Sequence, residues 1–329
     1  MKISSISYYL PEHEVTNDEL LRLIIANSKT AVDVDALKKK LLLNKAKTRY
    51  FKAPDETSLD MAETAVKRCL EKADLKAEEV DLLLFTSMER MYIEPPMSVL
   101  LQNRLRTKAN AFDVTNACLG FLNAMELANL YIEAQKYRNI LIVSAEIGSQ
   151  WIPWDKFSID KELTGFSALT VSDAAVAMLL QPGGAEQNFK IFDFKTFGEY
   201  NDLCQIKVGK DQDSLKLLVK SKKLAMVAIE LMSDFIPQFL HKSQEYLGTL
   251  DMWFLHQVTG DPKKFCGALE DELYNLSYHT FSEVGNTGSA SIPLGMALAE
   301  EKNLLKRGDK IALIVGASGF SYGGTCFIY

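Results

Sequence analysis

FDVTNACLGF, residues 112–121, joins two kinds of periodicity across one cysteine. Phe112 to Thr115 is a β-branched, apolar run of the sort that forms strands. From Leu119 the chain reads LGFLNAMELANLYI (119–132), apolar at helical spacing and uncharged until Glu126, which predicts a largely buried helix. Cys118 stands in the short turn between them. Unpaired backbone N–H groups and the helix dipole favour an anion at that place, so the reading predicts a thiol of lowered pKa and nucleophilic character.

Around this turn the 329 residues suffice for one large domain or two intimately packed halves. Hydrophobic residues make up 47% and charged residues 24%, an ordinary balance for a globular protein. The longest apolar runs, DLLLF (81–85) and ILIV (140–143), are strand-length and too short to span a membrane. KISSISYYLP (2–11) has no basic segment leading into an apolar core, so no signal peptide is expected and a cytoplasmic location is. Five scattered cysteines without CxxC spacing fit neither a disulfide framework nor a zinc site, and no metal is expected. A net charge of −6 argues against nucleic acid as a partner. Local basic clusters at 38–40, 44–49, 220–223 and Lys263–Lys264 read as solvated helix faces, or as one entrance for a phosphate-bearing, acidic carrier.

A faint internal echo runs through the chain. DLLLFTS (81–87) resembles DMWFLHQ (251–257), 170 residues on, and LIVSA (141–145) resembles LIVGA (313–317), 172 residues on. These runs are continuous rather than alternating, as in strands covered on both faces. Helical spacing appears between them at 61–73, 119–132, 224–247 and 262–273. The expected architecture is α/β, with two halves of the same wiring, 1–183 and 184–329, related by an approximate two-fold. Ligands gather at the C-terminal ends of such strands. Cys118 follows Asp81 by 37 residues and Asn286 follows Asp251 by 35, so both, with His256 at the end of its strand, are expected at the junction of the halves.

Of four histidines, His13, His241 and His279 lie in polar or amphipathic settings and read as structural or solvated. His256 emerges from the apolar MWFL (252–255) and suits a base or hydrogen-bond donor beside a thiolate. In EVGNTGSASIPLGMALAEE (283–301), Asn286 sits between glycines and small residues that allow close approach, and Pro293 is read as starting a helix. Its amide can donate to a developing oxyanion. GASGFSYGG (316–324) is either a plain hairpin or a second oxyanion site.

Cys118 in NACLGF, His256 in HQVTG, Asn286 in GNTGSASIP and the closing GASGFSYGG resemble, in order and spacing, the thiolase-like condensing enzymes, with the ketoacyl-acyl-carrier-protein synthase III group most similar. The resemblance spans nearly the whole chain. It implies a five-layered αβαβα fold, a homodimer and a Cys118–His256–Asn286 triad. Cys118 would be acylated by a thioester. His256 and Asn286 would then stabilise the enolate of a second thioester, and the N–H groups of Cys118 and Gly319 would hold the oxyanion of acyl transfer. CoA and phosphopantetheine thioesters, free or on an acyl carrier protein, would be substrates, with no bound cofactor. The expected reaction is a Claisen condensation of two acyl thioesters. Arg49 in KTRYF would contact phosphate, with Thr259, Lys263 and Lys264 along the substrate's path.

Two departures stand out. Thr259 occupies the place where this group usually has a second Asn after the histidine, and the N-terminal tryptophan common in the group is absent. YIEPPMS (92–98) instead resembles enzymes that join two acyl chains head to head without decarboxylation. There a glutamate reaches the partner subunit's active site as a base. Glu94, 24 residues before Cys118 and about two short of the expected spacing, is the candidate, with Glu89 a weaker one. Head-to-head or specialised-metabolite condensation, acyl transfer to an alcohol or amine, and a non-catalytic partner subunit are the alternatives.

Overall fold

The apolar runs that echo one another are the central strands of two five-stranded sheets. A computed structural model describes residues 1–29, 31–154, 166–184, 189–209 and 215–329. The first sheet contains β1 (Lys2–Tyr9), β4 (Leu82–Phe85), β5 (Asn110–Asp113), β6 (Ile140–Ile147) and β7 (Asp173–Gln181), in the order β1-β7-β6-β4-β5. The second contains β8 (Ile191–Thr196), β11 (Met252–Leu255), β12 (Ser277–Tyr278), β13 (Lys310–Ala317) and β14 (Ser321–Ile328), in the order β8-β14-β13-β11-β12. Two small antiparallel pairs, β2 (His13–Thr16) with β3 (Thr48–Phe51) and β9 (Cys204–Ile206) with β10 (Leu217–Val219), lie outside them.

The two sheets repeat one pattern. β4 runs parallel to β5 and β6, as β11 does to β12 and β13; β7 and β14 are antiparallel to both neighbours. Each echoed segment therefore occupies the same position in its own sheet.

Helices complete five layers. α1 (Asn17–Asn27) and α2 (Val34–Asn44) form a peripheral pair. α3 (Ser58–Lys72) and α4 (Met97–Leu105) cover the outer face of the first sheet through Leu83, Phe85, Leu141 and Val143. α5 (Gly120–Glu133) and α9 (Ser291–Glu301) lie between the sheets, against Leu82, Leu84, Ile140 and Ile142 on one side and Phe254, Leu313 and Val315 on the other. α6 (Ser221–Leu247) covers the far face through Trp253, Leu255, Ala312 and Ile314. Short α7 (Asp271–Tyr274) and α8 (Phe281–Val284) lie between β11 and α9. Successive strand residues face opposite layers and both faces are covered, which explains runs that are apolar throughout. The thiolase-like five-layered α/β architecture expected from the sequence is the one present.

Two local expectations need correction. The helical run expected over 262–273 is a 3₁₀ turn at Pro262–Phe265 followed by the single turn of α7. Gly267, at φ +54°, takes the left-handed conformation and breaks the helix between them. α9 begins at Ser291, two residues ahead of Pro293.

Candidate active site

Cys118 sits on a sharp turn. Val114 N–H donates to the Phe85 carbonyl at 2.8 Å, extending the strand; Leu119 and Gly120 N–H then donate back to Asn116 and Ala117, closing the turn. Ala117 takes a positive φ of 45°, unusual for a residue with a Cβ. Gly120 permits the tight start of α5, because an added Cβ would stand 3.1 Å from the backbone oxygens of both Thr86 and Val114. The carboxylate of Asp113 is fixed by the N–H groups of Met97 and Ser98 at the start of α4.

His256 follows β11 and is 6% exposed. Its N–H donates to the Ile314 carbonyl at 2.9 Å, carrying the parallel ladder one residue past the strand. The next residue, Gln257, accepts from the N–H groups of Thr280 and Phe281 and donates to the Tyr278 carbonyl, tying this corner to β12 and α8. The ring atom Nδ1 of His256 has no hydrogen-bond partner among the described residues. Burial pushes the imidazole down from 6.5 to about 4, so it is neutral at ordinary pH.

Asn286 is held through its main chain: its N–H donates to Thr170 and its carbonyl accepts from Ser172. Its Oδ1 accepts from the Gly288 N–H at 3.0 Å, which leaves the amide N–H₂ for another acceptor. Asn286 precedes α9 as Cys118 precedes α5, the equivalent place in the second half.

All three side chains line one cavity of about 870 Å³. Its walls also carry Met88, Glu89 and Glu146 on the first-sheet side and Cys204, Leu217 and Met232 on the other. The thiol differs from expectation. Cys118 precedes the first residue of α5, Gly120, and its pKa is pushed up, first by burial and then by the Glu146 carboxylate and Cys204. Only the residue's own backbone N–H acts in the opposite direction.

The remaining candidates divide. Thr259 and Lys264 line the cavity. Lys263 does not; it pairs with Asp271 and lies over the Tyr274 ring. Arg49 does not line it either. It is 0% exposed on β3, donates to Asn17 Oδ1 at 2.9 Å, and leaves Nε and Nη1 without a partner among the described residues, so burial withholds it from a phosphate outside the core. Gly319 lies between Ser318 and Phe320, which do line the cavity, in the three-residue link of a β13–β14 hairpin. Glu94 is exposed and outside the cavity of its own chain, whereas Glu89 is buried in the wall and accepts from Ser58 Oγ at 2.6 Å. His13, His241 and His279 are engaged elsewhere, with Glu19, Glu270 and Ser277. Sequence reasoning overlooked Glu146, which ends an apolar strand and gives no periodic signal, and Cys204, in a short strand amid polar residues.

Models of the 3-oxoacyl-[acyl-carrier-protein] synthase III family match residues 112–199, and those of its C-terminal part match 268–329. Named beta-ketoacyl-[acyl-carrier-protein] synthases III align over the full length. The one from Methylococcus capsulatus is 26% identical and covers 100% of this chain and 98% of its own. That from Clostridium novyi is 26% identical over 98% and 97%. Over its full length the chain is similar to the synthase III family of thiolase-like proteins. Synthase III proteins are acyltransferases, and this one is an enzyme of that class. Solved structures share the fold. The Aquifex aeolicus 3-oxoacyl-[acyl-carrier-protein] synthase III superposes with a TM-score of 0.82 at 24% identity, over 100% of this chain and 99% of that one. A variant of Xanthomonas campestris OleA gives 0.83 at 23%, over 100% and 98%.

Proposed function

We propose that this protein forms a C–C bond between two acyl thioesters by Claisen condensation through an acyl-Cys118 intermediate. Cys118, His256 and Asn286 lining one cavity is the observation that carries the reading. A sulfur-bound acyl group is an electrophile, and the second substrate needs its enolate oxygen stabilised more than it needs a strong base. A neutral imidazole and an amide N–H₂ can both donate to that oxygen. Acyl-CoA and acyl carrier protein are the proposed substrates, with Thr259 and Lys264 beside the entering pantetheine and its phosphate. A homodimer is proposed as the working unit. Met91, Tyr92 and Ile93 are exposed, Ile93 to 85%, and among the described residues β5 forms an unpaired edge of the first sheet.

Incubation with a panel of acyl-CoAs, followed by mass spectrometry, tests the reading. An acyl mass increase on the Cys118 peptide that is absent in Cys118→Ala is expected, with CO₂ released when malonyl carrier protein is added. No labelling by any donor would overturn it. Condensation without CO₂ would favour head-to-head joining. In that case Glu94→Ala in a dimer should abolish product, because Glu94 is outside the cavity of its own chain.

A further inference from the structure

The attacking thiol must lose its proton, and the groups nearest to hand are poor at taking it. Burial holds Cys118 in the thiol form and lowers the basicity of His256. Of the two carboxyl groups in the cavity wall, Glu89 is turned to Ser58, and Glu146 is the one whose charge acts on the Cys118 thiol. Glu146, 1% exposed at the end of β6, is the remaining buried carboxyl group in the cavity wall. Its Oε1 accepts from Ser289 Oγ at 2.6 Å, Ser289 N–H at 3.3 Å and Met88 N–H at 3.1 Å, and its Oε2 from Met88 N–H at 3.2 Å. The groups acting most strongly on it, Ser289, Met88 and Glu89, include no cation. Gly288 leaves the room this carboxylate occupies, since a Cβ there would lie 3.2 Å from its carboxyl carbon.

We propose that Glu146 is the proton acceptor for the Cys118 thiol during acylation, a role that rests on the acyl-Cys118 reading above. The thiol proton passes to the carboxylate as the sulfur lone pair forms the S–C bond and the carbonyl π pair moves onto oxygen. When the tetrahedral intermediate collapses, the C–S bond to pantetheine breaks. The departing thiolate then takes the proton back from the Glu146 carboxyl, so no net charge is left in the cavity. Burial pushes Glu146 up to about 7, where it can both accept and return a proton near neutral pH. The other charged or titratable groups lining the cavity are Glu89, Arg90 and Tyr92 from the segment after β4, His256 just past β11, Cys204 from β9, and Lys264.

The test follows iodoacetamide alkylation of Cys118 against pH by peptide mass spectrometry, and in parallel its acylation by acyl-CoA. The native rate should climb to a plateau with a midpoint near pH 7. Glu146→Gln should remove the plateau and slow both reactions about 10²-fold at neutral pH, and Glu146→Asp should restore part of the rate. Ser289→Ala, which takes a stabilising hydrogen bond from the carboxylate, should move the midpoint to higher pH and serves if Glu146→Gln fails to fold. Alkylation of Glu146→Gln as fast as or faster than native would overturn the proposal, since a carboxylate that merely repels the thiolate gives that result. So would an unmoved midpoint in Ser289→Ala. Native protein that is alkylated with the expected profile but acylated by no thioester would instead overturn the condensation reading and leave the proton acceptor supported.

Discussion

His256 shows how burial sets both chemistry and stability at one residue. Its folded pKa of about 4 lies below its ordinary 6.5, so the unfolded chain binds the proton more readily. Stability from the neutral ring is fully present above pH 6.5 and is lost as pH falls towards 4, by up to ~3 kcal/mol for a shift of this size. Glu146 has the opposite sign. Its raised pKa favours the folded state at low pH, and that contribution fades as pH rises towards 7. Comparing native protein with His256→Asn in urea melts at pH 5 and pH 7.5 isolates the histidine. The variant should lose less stability on acidification than the native chain. An equal loss in both would refute a buried, neutral imidazole.

At the scale of elements, the far layer depends on one close approach. Pro237 lies inside α6 and has no N–H to give the Ser233 carbonyl one turn back. Gly267 packs on that carbonyl: a Cβ at Gly267 would stand 2.3 Å from it, and the residue is already at φ +54°. Gly267→Ala should therefore cost more than about 1 kcal/mol through strain alone. Gly198→Ala, where no described residue would lie within 4 Å of the added Cβ, should leave the urea midpoint almost unchanged. Equal midpoints for the two variants would contradict this packing. Gly267 also shows where the sequence was silent. The spacing of 262–273 looked helical because apolar periodicity survives a break, and Gly267's conformation is set by a carbonyl 34 residues earlier.

At the scale of the whole molecule, two sheets of identical order bring the ends of β5, β11 and the turn before α9 around one cavity. The loop carrying Met91, Tyr92 and Ile93 leaves that cavity for the surface, next to Glu94. If this face joins two chains, Ile93→Asp should shift sedimentation from twice the 36.9 kDa chain mass towards a single chain. It should also lower condensation while leaving the fold's circular dichroism intact. A native chain that already sediments as a monomer would dismiss the dimer.

Sequence alone determined the repeated strands, the turn at Cys118, and the convergence of Cys118, His256 and Asn286, because continuous apolar runs and glycine-bounded turns are local consequences of burial and backbone sterics. Tertiary structure alone decided the state and direction of the side chains. It buried Arg49 beside Asn17, turned Lys263 to Asp271, put Glu89 rather than Glu94 in its own chain's cavity, and set Glu146 beside a thiol whose pKa burial raises. Those outcomes depend on desolvation and on partners distant in the chain, and neither leaves a periodic mark in sequence.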